Sequence, residues 1–144
     1  MSVEAASVHK ANFTARPNDY GPNITSLIEA GFLASGEAYM EAQRVRRQFS
    51  LEMEVIANKF DALMTPSTTS PAPKNLTSTG DPVLQTPWTT GGFPALSIPC
   101  GLSKAGLPLG LQLVSIPFSE EKLLGVSQWC EEVLNIEIAP PLPH

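Results

Sequence analysis

Between Ser35 and Phe60 the apolar residues Ala38, Ala42, Val45, Phe49, Met53, Ile56 and Phe60 recur at alternating three- and four-residue steps. That spacing stacks them on one stripe of an α-helix, while Glu41, Arg44, Gln48 and Glu52 fall mostly on the opposite, wetter side. Arg44, Arg46 and Arg47, the densest basic cluster of the chain, are read as part of that solvated face. Upstream, residues 3 to 14 mix alanines, Val8 and Phe13 with polar positions. They predict a helix that stops at Arg16-Pro17, because proline restricts the residue before it. Pro17 to Pro22 reads as a short loop. A second, shorter helix is predicted from Ile24 to Ala30, capped by Asn23 and closed by Gly31 in the left-handed conformation.

After residue 60 the period changes. Residues 61 to 66, Asp-Ala-Leu-Met-Thr-Pro, are a short apolar run closed by proline and predict a buried strand. From Ser67 to Asp81 the chain turns to Ser, Thr, Pro, Asn and Gly, which favour solvated turns, so 67 to 94 is expected to be loop and turn. Two further apolar runs, Ala95 to Leu102 and Leu109 to Ser115, flank a Gly- and Pro-containing stretch. This is the pattern of a hairpin with a longer loop. Leu109, Leu111 and Leu113 share one face of its second strand. Pro99 cannot donate to a ladder, so the first strand should be bulged or edge-like there. A last helix is predicted over 119 to 134, with Ser119 as cap, Glu120 and Glu121 at its positive end, and Phe118 packing on Leu123 as a hydrophobic staple. Its buried stripe is Leu123, Val126, Cys130, Val133 and Leu134, and the prolines at 140 to 143 end regular structure.

The count is about three strands and four helices. The strands are largely apolar on both faces, which suits the middle of a sheet covered by helices on each side. Three strands are too few for that, so something else must complete the sheet. A chain of 144 residues fits one domain, and a compact fold of this length hides roughly two thirds of its extended-chain surface. The hydrophobic share of 42% against 16% charged residues argues against wholesale disorder.

A net charge of -5 without a basic stripe disfavours nucleic-acid binding. No apolar run has the length of a membrane span or the placing of a signal peptide's core, so a soluble, cytoplasmic chain is expected. Cys100 and Cys130 lack the close spacing of a metal knuckle and are read as reduced, buried thiols. The triplets beginning at Asn12, Asn23 and Asn75 match the glycosylation pattern, but the modification needs a secretory route, and they are read as coincidence.

Candidate chemistry is sparse. A serine nucleophile needs an activating base beside it. Ser-x-x-Lys occurs as Ser7 to Lys10 and as Ser119 to Lys122, but the companion Ser-Asp-Asn and Lys-Thr-Gly motifs of β-lactamase-like enzymes are missing. Only His9 and His144 could serve as imidazole base or metal ligand, so no metal site is expected. Gly91-Gly92 leads into Phe93-Pro94 rather than into a helix bearing Lys-Ser, so it reads as room for close backbone approach and not as a phosphate cradle.

Two blocks resemble the amidase signature family, whose members hydrolyse carboxamides and include the glutamine-handling subunit of tRNA-dependent amidotransferases. The stretch from Tyr20 to Gly31, followed by Tyr39, Ala42 and Arg46, looks like that family's late helical region. More specific are Asp61 to Pro66, Gly92-Phe-Pro-Ala-Leu-Ser-Ile-Pro-Cys-Gly101 and Gly106-Leu-Pro-Leu-Gly-Leu-Gln-Leu-Val114, in the order and spacing of the end of such enzymes. The resemblance implies an α/β fold, the C-terminal part of an α/β/α sandwich around a large mixed sheet, with residues 1 to 144 a C-terminal fragment of one amidase domain. The family's chemistry uses a serine nucleophile, a second serine on a cis peptide and a lysine, with the attacking serine in a Gly/Ser-rich tract upstream of everything present here, so no residue here inherits those roles and the chain is expected to be inactive alone. What carries over is pocket wall: Gln85, Thr86, Trp88 and Thr89 correspond to the segment that approaches the acyl part of the substrate. Equally, those four residues read as a capped turn packing an indole under a loop. Amidotransferase members tend to carry Asp near Val83. Its absence argues against selecting a substrate amine and leans toward a general or apolar amide.

The expected partners are therefore a small-molecule amide and the missing N-terminal portion of the fold, with no cofactor, nucleic acid or membrane. The alternative is a non-catalytic docking module that completes a partner's sheet.

Overall fold

The computed structural model describes residues 1–75 and 77–136. The proline-rich tail at 140 to 143, His144 and Leu76 of the third Asn triplet lie outside those residues. The chain divides into two compact units, Met1–Val45 and the part from Arg46 onward.

In the first unit, α1 (Ser2–Ala15) is followed by a 3-10 turn at Pro17–Asp19 where a loop was expected, and by α2 (Pro22–Leu33). The third helix, α3 (Gly36–Ala57), begins in this unit and ends in the next. Helix α2 corrects two expectations. Its N-cap is Gly21, with Pro22 at the first helical position, so Asn23 lies inside the first turn and does not cap. Pro22 wins because its fixed φ is already helical and its missing N–H is one that no helix start can pair. Gly31 does not end the helix but sits buried within it, and a Cβ there would collide with the Ser2 carbonyl and come within 2.7 Å of Ala6 Cβ. The glycine lets α2 lie directly on α1, where Ala6 and Ile28 are fully enclosed. Phe13 contacts both Tyr20 and Phe32, at ring separations of 5.2 and 6.2 Å.

The second unit holds a three-stranded antiparallel sheet of β1 (Leu63–Pro66), β2 (Ala95–Leu102) and β3 (Pro108–Val114), in the order β1-β3-β2. Helix α4 (Thr86–Gly91) precedes β2, and α5 (Glu120–Leu134) follows β3. The α/β class stands, with five α-helices rather than four among the described residues, because α4 falls where loop was expected. Its composition, Thr-Pro-Trp-Thr-Thr-Gly, has no apolar period to announce it.

Strands β2 and β3 form the expected hairpin. Its loop turns through Gly106 at φ +77, and the Ser103 amide is bonded to the Leu107 carbonyl. The ladder shifts register between Pro99 and Gly101, so the bulge falls where proline interrupts the donors. Pairing opposite Leu113 are Met64 and Leu96, and opposite Gln112 are Thr65 and Ser97. One face of the sheet is therefore apolar and packs on α5, with Ile98, Leu113 and Leu123 at its centre and Ala62, Leu96, Leu111 and Cys130 around them. The other face is polar along the row Thr65, Gln112 and Ser97, which corrects the expectation of strands apolar on both sides.

Further expectations fail for local reasons. Phe118 has φ +62 and is 96% exposed, so it makes no staple with Leu123. Ser119 stands at the N-cap of α5 without a side-chain cap bond. Cys100 and Cys130 are free thiols but half-buried. The covered side of α3 is displaced from the expected stripe: Tyr39, Gln43, Phe49, Ser50 and Met53 are half-buried and Ala57 is buried, whereas Ala38, Ala42, Val45, Ile56 and Phe60 are exposed.

Candidate functional site

The four residues assigned to a pocket wall lie together at the start of α4. Gln85 is its N-cap, and the Gln85 side-chain amide donates to the Ser67 carbonyl at 2.7 Å, tying the segment to the end of β1. Thr86 Oγ1 donates to the Pro82 carbonyl at 2.9 Å. Trp88 is half-buried and meets Phe93 edge to face, at a ring separation of 6.1 Å. Thr89 is exposed, and its amide donates to the Gln85 carbonyl. Three of the four side chains thus have local structural partners.

The segment stops abruptly. Gly92 takes φ +79 and its amide, like that of Phe93, bonds the Trp88 carbonyl. A Cβ on Gly91 would lie 2.8 Å from the Phe93 ring and 3.0 Å from Phe49. Of the glycine pair only Gly91 serves close approach; Gly92 has open space where a Cβ would stand and supplies the left-handed turn instead. Underneath, buried Gln112 donates to the Leu84 carbonyl and to Thr65 Oγ1, both at 2.9 Å. Gln112 was not foreseen as important. A lone amide inside the apolar run of β3 was the available clue, since a buried polar group needs partners.

Two open cavities, of about 440 and 340 Å³, flank the loop that begins at Ser67. The larger has Ser67, Asp81, Ser97 and Gly110 in its lining. Ser67 and Ser97 hydroxyls are bonded to each other over Gly110, where a Cβ would approach them to 2.6 and 2.7 Å. None of Gln85, Thr86, Trp88 or Thr89 lines either cavity.

The discarded motifs are otherwise engaged. Lys122 pairs with Asp61 at 3.0 Å, and His9 Nδ1 lies 3.2 Å from the Tyr20 hydroxyl. Among the described residues no group of three or more His, Cys, Asp or Glu side chains could hold a metal, and no helix is long and apolar enough to cross a membrane.

The sequence profile of the amidase family matches residues 2–124. The chain belongs to the amidase family. A glutamyl-tRNA(Gln) amidotransferase subunit from Pelagibacter ubique is 34% identical over 134 residues, covering 85% of this chain and 28% of that protein. Its counterpart from Prochlorococcus marinus is 33% identical over equal shares. In three dimensions an amidase crystal structure superposes with a TM-score of 0.83 at 26% identity, over 92% of this chain and 33% of that one. This member of the family thus spans under a third of the curated relatives it matches.

Proposed function

We propose that this chain is the C-terminal portion of an amidase that hydrolyses carboxamide C–N bonds, supplying scaffold and pocket wall while the serine nucleophile is carried elsewhere in the fold. The observation that supports it is an amidase-like architecture extending over nearly all of this chain but only a third of a solved amidase. In such an enzyme the nucleophile needs a neighbouring base, and the wall's task is to hold the carboxamide in line with it. Gln85, Thr86, Trp88 and Thr89 are assigned that task.

The substrate is a neutral, general or apolar amide. From Pro82 to Ser103 the chain contains no Asp, Glu, Lys, Arg or His. The wall segment itself offers no counter-charge to a substrate amine or carboxylate, and the Arg46 guanidinium beside it is engaged at the Thr90 carbonyl. The carboxylate nearest Val83 is Asp81, whose Oδ1 accepts the Val83 amide at 3.0 Å. This favours a simple amide over glutamine, although the named relatives are amidotransferase subunits. The setting proposed is the cytoplasm, with no cofactor and with no nucleic-acid or membrane partner.

The purified 144-residue chain is expected to leave simple amides and esters unhydrolysed. Turnover that a single serine substitution within it abolishes would refute the assignment. A second reading, a non-catalytic module docking on a partner and completing its sheet, is favoured by the exposed apolar residues Val55, Ile56, Phe60 and Met64. Size-exclusion with light scattering tests the second reading: a strictly monodisperse monomer counts against a docking module.

A further inference from the structure

Helix α4 has six residues, too few to persist by its own hydrogen bonds, and its last carbonyls have no partners within it. Those carbonyls are taken up by α3. Arg46 Nε donates to the Thr90 carbonyl at 2.7 Å, and the Ser50 hydroxyl lies 3.0 Å from the Gly91 carbonyl and from the Arg46 carbonyl of its own helix, sharing its one hydrogen between them. One turn along the same helix, Phe49 meets the Phe93 ring at 6.5 Å, and Phe93 in turn meets Trp88. Arg46, read from the sequence as part of a solvated face, therefore reaches a backbone acceptor 44 residues away. A guanidinium at the C-terminal end of a helix is also favoured by the negative end of its dipole, although the arginine is exposed and screening weakens that contribution.

We propose that Arg46 and Ser50 are positioning residues that fix the pose of Gln85, Thr86, Trp88 and Thr89 by holding the carbonyl end of α4. The role rests on the reading of those four residues as substrate wall. Neither residue touches the reacting bond. They act through the orientation of α4, with Gln85 and its bond to Ser67 holding the opposite end. Two anchored ends leave one pose for the indole, and removing the two α3 donors leaves the carbonyl end of α4 held only by the packing of Phe49 on Phe93.

The test uses the full 144-residue chain, with Trp129→Phe to make Trp88 the only tryptophan. In Arg46→Met/Ser50→Ala, amide exchange at Thr89, Gly92 and Phe93 is expected to accelerate by roughly tenfold, the scale of losing two modest hydrogen bonds. Acrylamide quenching of Trp88 should rise while the β2 and β3 ladder amides keep their protection. Arg46→Lys, which retains a donor, should restore most of the protection. Unchanged exchange at the three amides overturns the proposal. So does acceleration spread evenly over the sheet, which would mark a general stabilising contact. Titration of acetanilide against Trp88 emission in the Trp129→Phe chain tests the wall separately: a chain with the clamp intact and no response to the amide refutes the pocket wall while the exchange data still establish the clamp.

Discussion

The sheet buries a polar side chain on each of its sides, and the two are treated in opposite ways. Gln112, 5% exposed in β3, places its amide nitrogen against the Leu84 carbonyl and Thr65 Oγ1. Ser127, 3% exposed on α5, has no hydrogen-bond partner for its hydroxyl among the described residues. Burying a polar group is costly unless it is paired, so the first holds elements together and the second only subtracts. The α5 side is stabilised by apolar packing. The α4 side depends on directed bonds and on glycines that make room for them.

Packing should carry the larger share of stability, and the largest effect is expected from Leu113→Ala. Leu113 is 2% exposed at the centre of the Ile98 and Leu123 cluster. Truncation removes buried methyl groups and leaves a cavity, for a loss of about 3 kcal/mol measured as a shift in the urea midpoint at constant slope. A loss below about 1 kcal/mol would mean that α5 does not seal this face. Next comes Gln112→Leu, near in volume but without donors. It strands the Leu84 carbonyl and should cost about 2 kcal/mol, with faster exchange at the Gln85 and Thr86 amides beyond it. Gly110→Ala follows at about 1.5 kcal/mol, since its Cβ would meet both serine hydroxyls at under 3 Å. Ser67→Ala in that background should recover part of the loss.

Much of the apolar side was legible in advance. The alternation of Leu109, Leu111 and Leu113, the bulge at Pro99 and the helix after Ser119 all follow from period and from proline's missing donor, which are local properties. The polar side was not. Nothing near Gln112 in the chain announces Leu84 or Thr65 as partners, and the Arg46 to Thr90 bond joins residues that only tertiary structure brings together. Helix α4 was hidden for a related reason: a single turn carries no period, and it is held by contacts from β3 and α3 rather than by its own propensity. The pocket-wall residues follow from family likeness, and their placement follows from hydrogen bonds to Ser67 and Pro82 that their own stretch of chain does not announce. Capping at Asn23 and Ser119 failed because a suitable residue type is necessary for a cap but does not by itself aim the side chain.

The smallest predicted effect is also the one that discriminates best between the two sides. Ser127→Ala removes the unpartnered hydroxyl, keeps the helix geometry and raises helix propensity slightly, so stability should increase by up to about 1 kcal/mol. The readout is a higher urea midpoint with an unchanged slope. The matching deletion on the other side, Gln112→Leu, moves stability the opposite way although both changes remove one buried polar group. If Ser127→Ala is instead destabilising, its hydroxyl has a partner beyond the described residues, and the α5 side is held by a directed bond as the α4 side is. That result would show that a directed bond, and not packing alone, secures Ser127 at the back of this sheet.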